Sequence, residues 1–81
     1  MESRALKLFG SKVRKLRKER GMSQEALAEA ANVNRSYLSE IEQGIVSPTI
    51  VVVLRLAKAF GVPASALVDD FTAAALARLK L

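Results

Sequence analysis

The 81 residues include no cysteine and no histidine, which removes thiol nucleophiles, Ser-His-Asp triads and zinc sites of the usual Cys/His type. Serines, lysines and acids are scattered over what read as helices, with no nucleophile, base and pocket gathered in one place. No enzyme activity is expected, nor any cofactor, metal or small-molecule ligand. The charged side chains can instead hold an anion. Residues 1–20 carry eight of the thirteen basic residues against Glu2 and Glu19, a local charge of +6, while the other 61 residues sum to −1. The net charge of +5 is thus a property of one end, and a partner for that end should be anionic. On charge alone, the solvated face of an amphipathic helix explains Lys7, Arg14, Lys15 and Lys18 equally well.

The elements that position these groups read as all-helical. Ala and Leu supply 24 of the 81 residues, and no stretch alternates polar and apolar with period two for long enough to make a sheet. Leu6, Phe9, Val13 and Leu16 recur at helical steps, giving a first helix over about residues 5–20 that Gly21 stops. Ser23 can cap a second, short helix ending near Ala31, with Leu27, Ala28 and Ala31 inward. Asn32-Val33-Asn34 is a tight turn, Asn32 tolerating a left-handed backbone and Asn34 capping a third helix from Arg35 to about Gln43. That helix buries Leu38 and Ile41, turns Arg35, Ser36, Ser39 and Glu40 elsewhere, and ends at Gly44. After the loop Ser47-Pro48-Thr49, a fourth helix is expected with Ile50, Val53, Leu54, Ala57 and Phe60 inward and a stop at Gly61. Pro63 opens a fifth helix of one or two turns through Leu67 and Val68, and Asp69-Asp70 can cap a last one from Phe71 to Lys80. One domain over residues 1–81 is expected, since the length leaves no room for a second core. No apolar run approaches a membrane span of about 20 residues, and a cytoplasmic, nucleoid-associated protein is expected.

A short helix, a three-residue turn and a second short helix form the arrangement in which one helix braces against a DNA backbone and the next enters the major groove. Ala28 is small where the helices cross, Val33 fills the corner, and Leu38 and Ile41 anchor the second helix. Any three-helix bundle needs small residues at its crossings, so spacing alone leaves both a DNA reader and a generic hairpin open.

Over about residues 9–68 the sequence resembles the phage-repressor and Cro-like helix-turn-helix regulators, also called the xenobiotic-response-element type. The resemblance runs through Val13-Arg14-Lys15-Leu16-Arg17-Lys18-Glu19-Arg20-Gly21-Met22-Ser23-Gln24-Glu25-Ala26-Leu27-Ala28, then Ser39-Glu40-Ile41-Glu42-Gln43-Gly44, Ser47-Pro48-Thr49 and Leu56-Ala57-Lys58-Ala59-Phe60-Gly61-Val62. The length and Asn34-Arg35-Ser36-Tyr37 look particularly like the controller proteins of restriction-modification systems. The fold implied is a five-helix lambda-repressor-like domain with its helix-turn-helix over about residues 23–43, followed by a short C-terminal helix.

The resemblance also implies roles. Gln24, helped by Ser23, corresponds to the family's phosphate donor at the start of helix 2, where free backbone N–H groups suit an anion. Arg35, Ser36, Ser39 and Glu40 correspond to base-reading positions, with Tyr37 near sugar, phosphate or a thymine methyl. Chemically, an arginine can pair bidentately with guanine O6 and N7, and a glutamate can accept from cytosine N4. Arg17 is implied to bridge to Glu42 and to lie near the DNA backbone, while Gln43, Ser47 and Thr49 are implied beside phosphates. The sequence departs from the controller pattern at Ile45 and Val46, where polar or basic residues are usual.

Val51 and Val52 fall off the expected inner stripe of helix 4, and the tail from residue 69 adds apolar residues on a helix too short to stand alone. A homodimer through Val52, Leu67, Phe71, Ala75, Leu76 and Leu79 is therefore expected. Two recognition helices about 34 Å apart then read a palindromic operator on double-stranded DNA. The sequence points to a dimeric, autoregulatory transcriptional regulator, with RNA polymerase as a further partner and no membrane role. The competing reading is an antitoxin or adaptor whose apolar residues bind another protein and whose DNA binding is secondary. The basic face of helix 1 is expected to act by long-range attraction more than by contact.

Overall fold

The computed structural model describes residues 3–81; Met1 and Glu2, the latter counted in the N-terminal charge, lie outside the described residues. Six helices follow one another: α1 (Ser3–Glu19), α2 (Gln24–Ala31), α3 (Arg35–Gln43), α4 (Ile50–Phe60), α5 (Ser65–Val68) and α6 (Ala73–Arg78), with no strand among the described residues. The expected cap chemistry sets the central boundaries. Ser23 accepts from Ala26 N at 3.0 Å, and Asn34 Oδ1 accepts from Ser36 N and Tyr37 N at 2.8 and 3.2 Å. Asn32 ends α2 with φ of 54°, so the turn into α3 closes in three residues.

Phe9, Val13, Leu27, Ala28, Ala31, Leu38, Ile41, Leu56, Ala57, Phe60 and Leu67 form the core, drawn from α1 through α5. Burying a leucine or isoleucine fully contributes about 1.5–3 kcal/mol, so Leu27, Leu38, Ile41 and Leu56 do most to hold α2, α3 and α4 together.

Three expectations need correction. The inner stripe of α4 is Val53, Leu56, Ala57 and Phe60, with Val52 half-buried beside it; Ile50 and Leu54 face solvent at 69% and 50% exposure. The apolar run from Ile50 to Leu56 is broken only by Arg55, so two rotations of the helix share Ala57 and Phe60 and periodicity cannot choose between them. Leu67, expected at a dimer interface, is 1% exposed and closes the protomer's own core, while Val52 and Phe71 pack against that core. Asp69-Asp70 does not cap the last helix: Thr72 does, accepting from Ala75 N at 3.1 Å, so α6 spans Ala73–Arg78 instead of Phe71 to Lys80. The Lys12 ammonium takes the two aspartates instead, at 2.6 Å from Asp69 and 3.4 Å from Asp70.

Two glycines set how closely α1 approaches α3. A Cβ on Gly10 would collide with the carbonyl oxygen of Ile41 and stand 2.8 Å from that of Glu42, so the two backbones touch with no side chain between them. Gly44 ends α3 at φ of 75°, a conformation that favours glycine, and a Cβ there would stand 2.7 Å from Lys7 Cα. No described helix is long and apolar enough to cross a membrane.

Candidate nucleic-acid interface

The close α1–α3 crossing brings Arg17 of α1 onto Glu42, near the end of α3. Arg17 Nε donates to Glu42 Oε2 at 2.7 Å, Nη2 donates to Oε1 at 3.0 Å, and Nη1 donates to the Met22 carbonyl at 2.8 Å. The Glu42 side chain is 3% exposed and that of Arg17 11%. This is a bidentate, charge-assisted pair, and the hydrogen bonds to Glu42 raise the guanidinium pKa against the opposing effect of its burial. Arg17 keeps two of its five N–H groups for any other partner.

Gln24 joins the same network, its Nε2 donating to Glu42 Oε1 at 3.1 Å. One carboxylate therefore holds the last turn of α1, the end of α3 and the first residue of α2. Sequence reasoning pairs Arg17 with Glu42 but does not see that Gln24 is anchored to the same group. The second amide N–H of Gln24 stays available, as does the O–H of Ser23, whose oxygen alone is used in capping α2.

Four side chains expected to read bases, Arg35, Ser36, Ser39 and Glu40, line a single shallow cleft of about 280 Å³ together with Gln24. Arg35 and Ser36 are exposed, and Ser39 and Glu40 half-buried. The Arg35 guanidinium lies 3.4 Å from Glu25 Oε1, both side chains well exposed. Sequence reasoning missed this pair, whose only signal is opposite charge near the starts of α2 and α3. Tyr37 lies half-buried against the core and is not among the side chains that line the cleft. Gln43 Nε2 donates to Ser39 Oγ at 2.9 Å on the exposed side of α3. Beyond α3, Ser47 is exposed, and Thr49 caps α4 by accepting from Val52 N at 3.2 Å, leaving its O–H as a donor. Ile45 is exposed and Val46 packs against the core. The arrangement offers a guanidinium, two hydroxyls and a carboxylate on one cleft, flanked by amide and hydroxyl donors at a helix start. Those groups suit base edges and phosphates respectively.

Fold and cleft together define a helix-turn-helix protein, and the helix-turn-helix family model matches residues 13–67. The chain belongs to this family, in its phage-repressor and Cro-like branch. It is 40% identical over 66 residues to the control protein C.BamHI of Bacillus amyloliquefaciens, covering 80% of this chain and 82% of that protein. Among solved structures, the restriction-modification controller protein C.AhdI from Aeromonas hydrophila superposes with a TM-score of 0.77 at 36% identity, over 78% of this chain and 96% of that one. The transcriptional regulator RamB of Mycobacterium tuberculosis is 48% identical over 56 residues, but the match spans 69% of this chain and only 12% of RamB.

Proposed function

We propose that this chain is a sequence-specific, double-stranded-DNA-binding transcriptional regulator that inserts α3 into the major groove. The observation that carries the reading is the gathering of Arg35, Ser36, Ser39, Glu40 and Gln24 on one cleft. Arg35 and Ser36 reach base edges from the first turn of α3, and Ser39 and Glu40 from the next. Gln24, Ser23, Tyr37, Gln43, Ser47 and Thr49 hold the backbone, with Arg17 contributing its two remaining N–H groups.

The regulator acts as a homodimer on a palindromic operator. Ile50, Val51 and Leu54 on α4, Val68 on α5 and Leu76 on α6 are large apolar side chains left exposed, and they support a self-complementary face. Ala75 on α6 and Leu79 just after it, both half-buried, are proposed to join that face. The likeness to two controller proteins, most of whose length this chain matches, favours a controller of a restriction-modification system. Regulation of its own promoter and a contact with RNA polymerase there belong to the same proposal.

Selection of binding sites from a random duplex pool tests the reading. The expected result is a two-fold symmetric consensus, with Arg35→Ala relaxing one base position by about 1–3 kcal/mol and Gln24→Ala weakening all sequences alike. Salt-sensitive binding without a consensus would sink sequence reading and leave the exposed apolar residues to a protein partner.

A further inference from the structure

The basic face of α1 does not point uniformly away from α3. Gly44, which closes α3, rests on the Lys7 backbone: a Cβ there would stand 2.7 Å from Lys7 Cα and 2.8 Å from Lys7 N. The Lys7 stem thus starts beside the turn that follows the recognition helix. Arg14 and Lys18 lie seven and eleven residues further on, within about 20° of Lys7 around the helix axis, so the three form one row along α1. All three are exposed, and none has an acidic partner among the described residues. The neighbouring cations Lys12 and Arg17 are consumed by Asp69 and Glu42.

The row spans about 16 Å at 1.5 Å per residue, the axial length of roughly five phosphates on one strand. The dipole at the end of α3 accounts for a cation at Lys7, and that of α1 for Lys18 in its last turn, but neither accounts for Arg14 or for the alignment of all three, because the effect fades within one turn. Its sign and its continuity with the α3 end both point to the backbone of the duplex that α3 enters.

We propose that Lys7, Arg14 and Lys18 are a direct phosphate-contact track, extending the interface beyond the helix-turn-helix along the same DNA. The inference rests on the DNA-binding reading. It differs from long-range attraction in requiring contact at particular phosphates.

The test compares wild type, Lys7→Ala/Arg14→Ala/Lys18→Ala, and a control of equal charge loss, Arg55→Ala/Lys58→Ala/Arg78→Ala, on the selected operator. Thermal melts by circular dichroism check that both variants fold; alanine is a strong helix former at these exposed sites. Loss of three contacts lowers the slope of log affinity against log salt by about 2.7, so raising salt from about 50 to about 200 mM weakens wild type about 40-fold more than the α1 variant. Ethylation interference should vanish at a run of phosphates for that variant alone, with the base consensus unchanged. If the α1 variant keeps the wild-type slope, or matches the control in slope and interference, the track does not exist. A wild type that selects no consensus overturns the regulator reading separately, and the slopes of the two variants on arbitrary duplex then still decide the track. If wild type binds no DNA, both fall.

Discussion

The two ends of this chain are held by opposite means. Where α1 crosses α3, backbone meets backbone at Gly10 and Gly44, and Glu42 takes three hydrogen bonds from Arg17 and Gln24 inside the fold. At the other end, α6 has no buried residue; the segment leading to it is tied to α1 by the Lys12 pair with two exposed aspartates, and Phe71 packs half-buried against the core. The first region fixes angles; the second leaves apolar surface over. The difference teaches where geometry is stored: the crossing of α1 and α3 is locked by touching backbones and one buried hydrogen-bonded network, while the last helix leaves Leu76 exposed and uncovered.

Breaking the locked region should have the largest effect. Glu42→Ala leaves the Arg17 guanidinium largely buried without its counter-charge, and a loss of about 3–5 kcal/mol is expected by urea titration. Replacing both partners, Arg17→Met with Glu42→Leu, should restore most of that stability, because an apolar pair of similar volume needs no counter-charge. Specific DNA affinity should not return with it, since Gln24 has lost its anchor. A double variant as unstable as Glu42→Ala alone would show that the network's charge is not what matters.

Gly10→Ala comes next. The added methyl meets the carbonyls of Ile41 and Glu42, and forcing α1 from α3 should cost about 1–3 kcal/mol. An unchanged denaturation midpoint would mean the crossing is looser than its geometry.

The smallest effect belongs to the tethered end. Lys12→Ala should lower the thermal midpoint by no more than a few degrees, as exposed ion pairs contribute little. Hydrogen bonding to Asp69 first, and then to Asp70, raises the ammonium pKa above its ordinary 10.5 despite opposing desolvation. The contribution is therefore whole below that ordinary value and disappears as pH rises through the raised one. Wild type and Lys12→Ala melts should converge only in strong alkali; convergence near neutrality would remove the pair from the account.

Sequence carries the central helices and their caps almost to the residue, because Ser23, Asn32, Asn34 and Gly44 each impose one backbone choice. The cleft is legible for the same reason: once α3 is framed by Asn34 and Gly44, Leu38 and Ile41 fix which side of it faces out. Illegible were the features decided by three-dimensional company. Nothing in the run Ile50 to Leu56 says which of its faces the core will cover, and nothing local to Leu67 says that the protomer's own core, not a second copy, buries it. Gly10 carried an unread signal, since a glycine within a helix usually has a packing reason. The Lys12 to Asp69 link, 57 residues apart in sequence, has no local signature at all.

The bond from Gln24 to Glu42 has one more consequence. A long amide that is free in solution must be ordered when it grips a ligand, at about 0.5–1.5 kcal/mol for a rotamer-rich side chain. Here folding has already given up that freedom, so the side chain is preorganised for the grip proposed for it. In the proposed role on phosphate, such a clamp would gain affinity from its stiffness and lose tolerance by it: a duplex whose phosphate sits slightly out of line would find a donor that cannot swing to meet it.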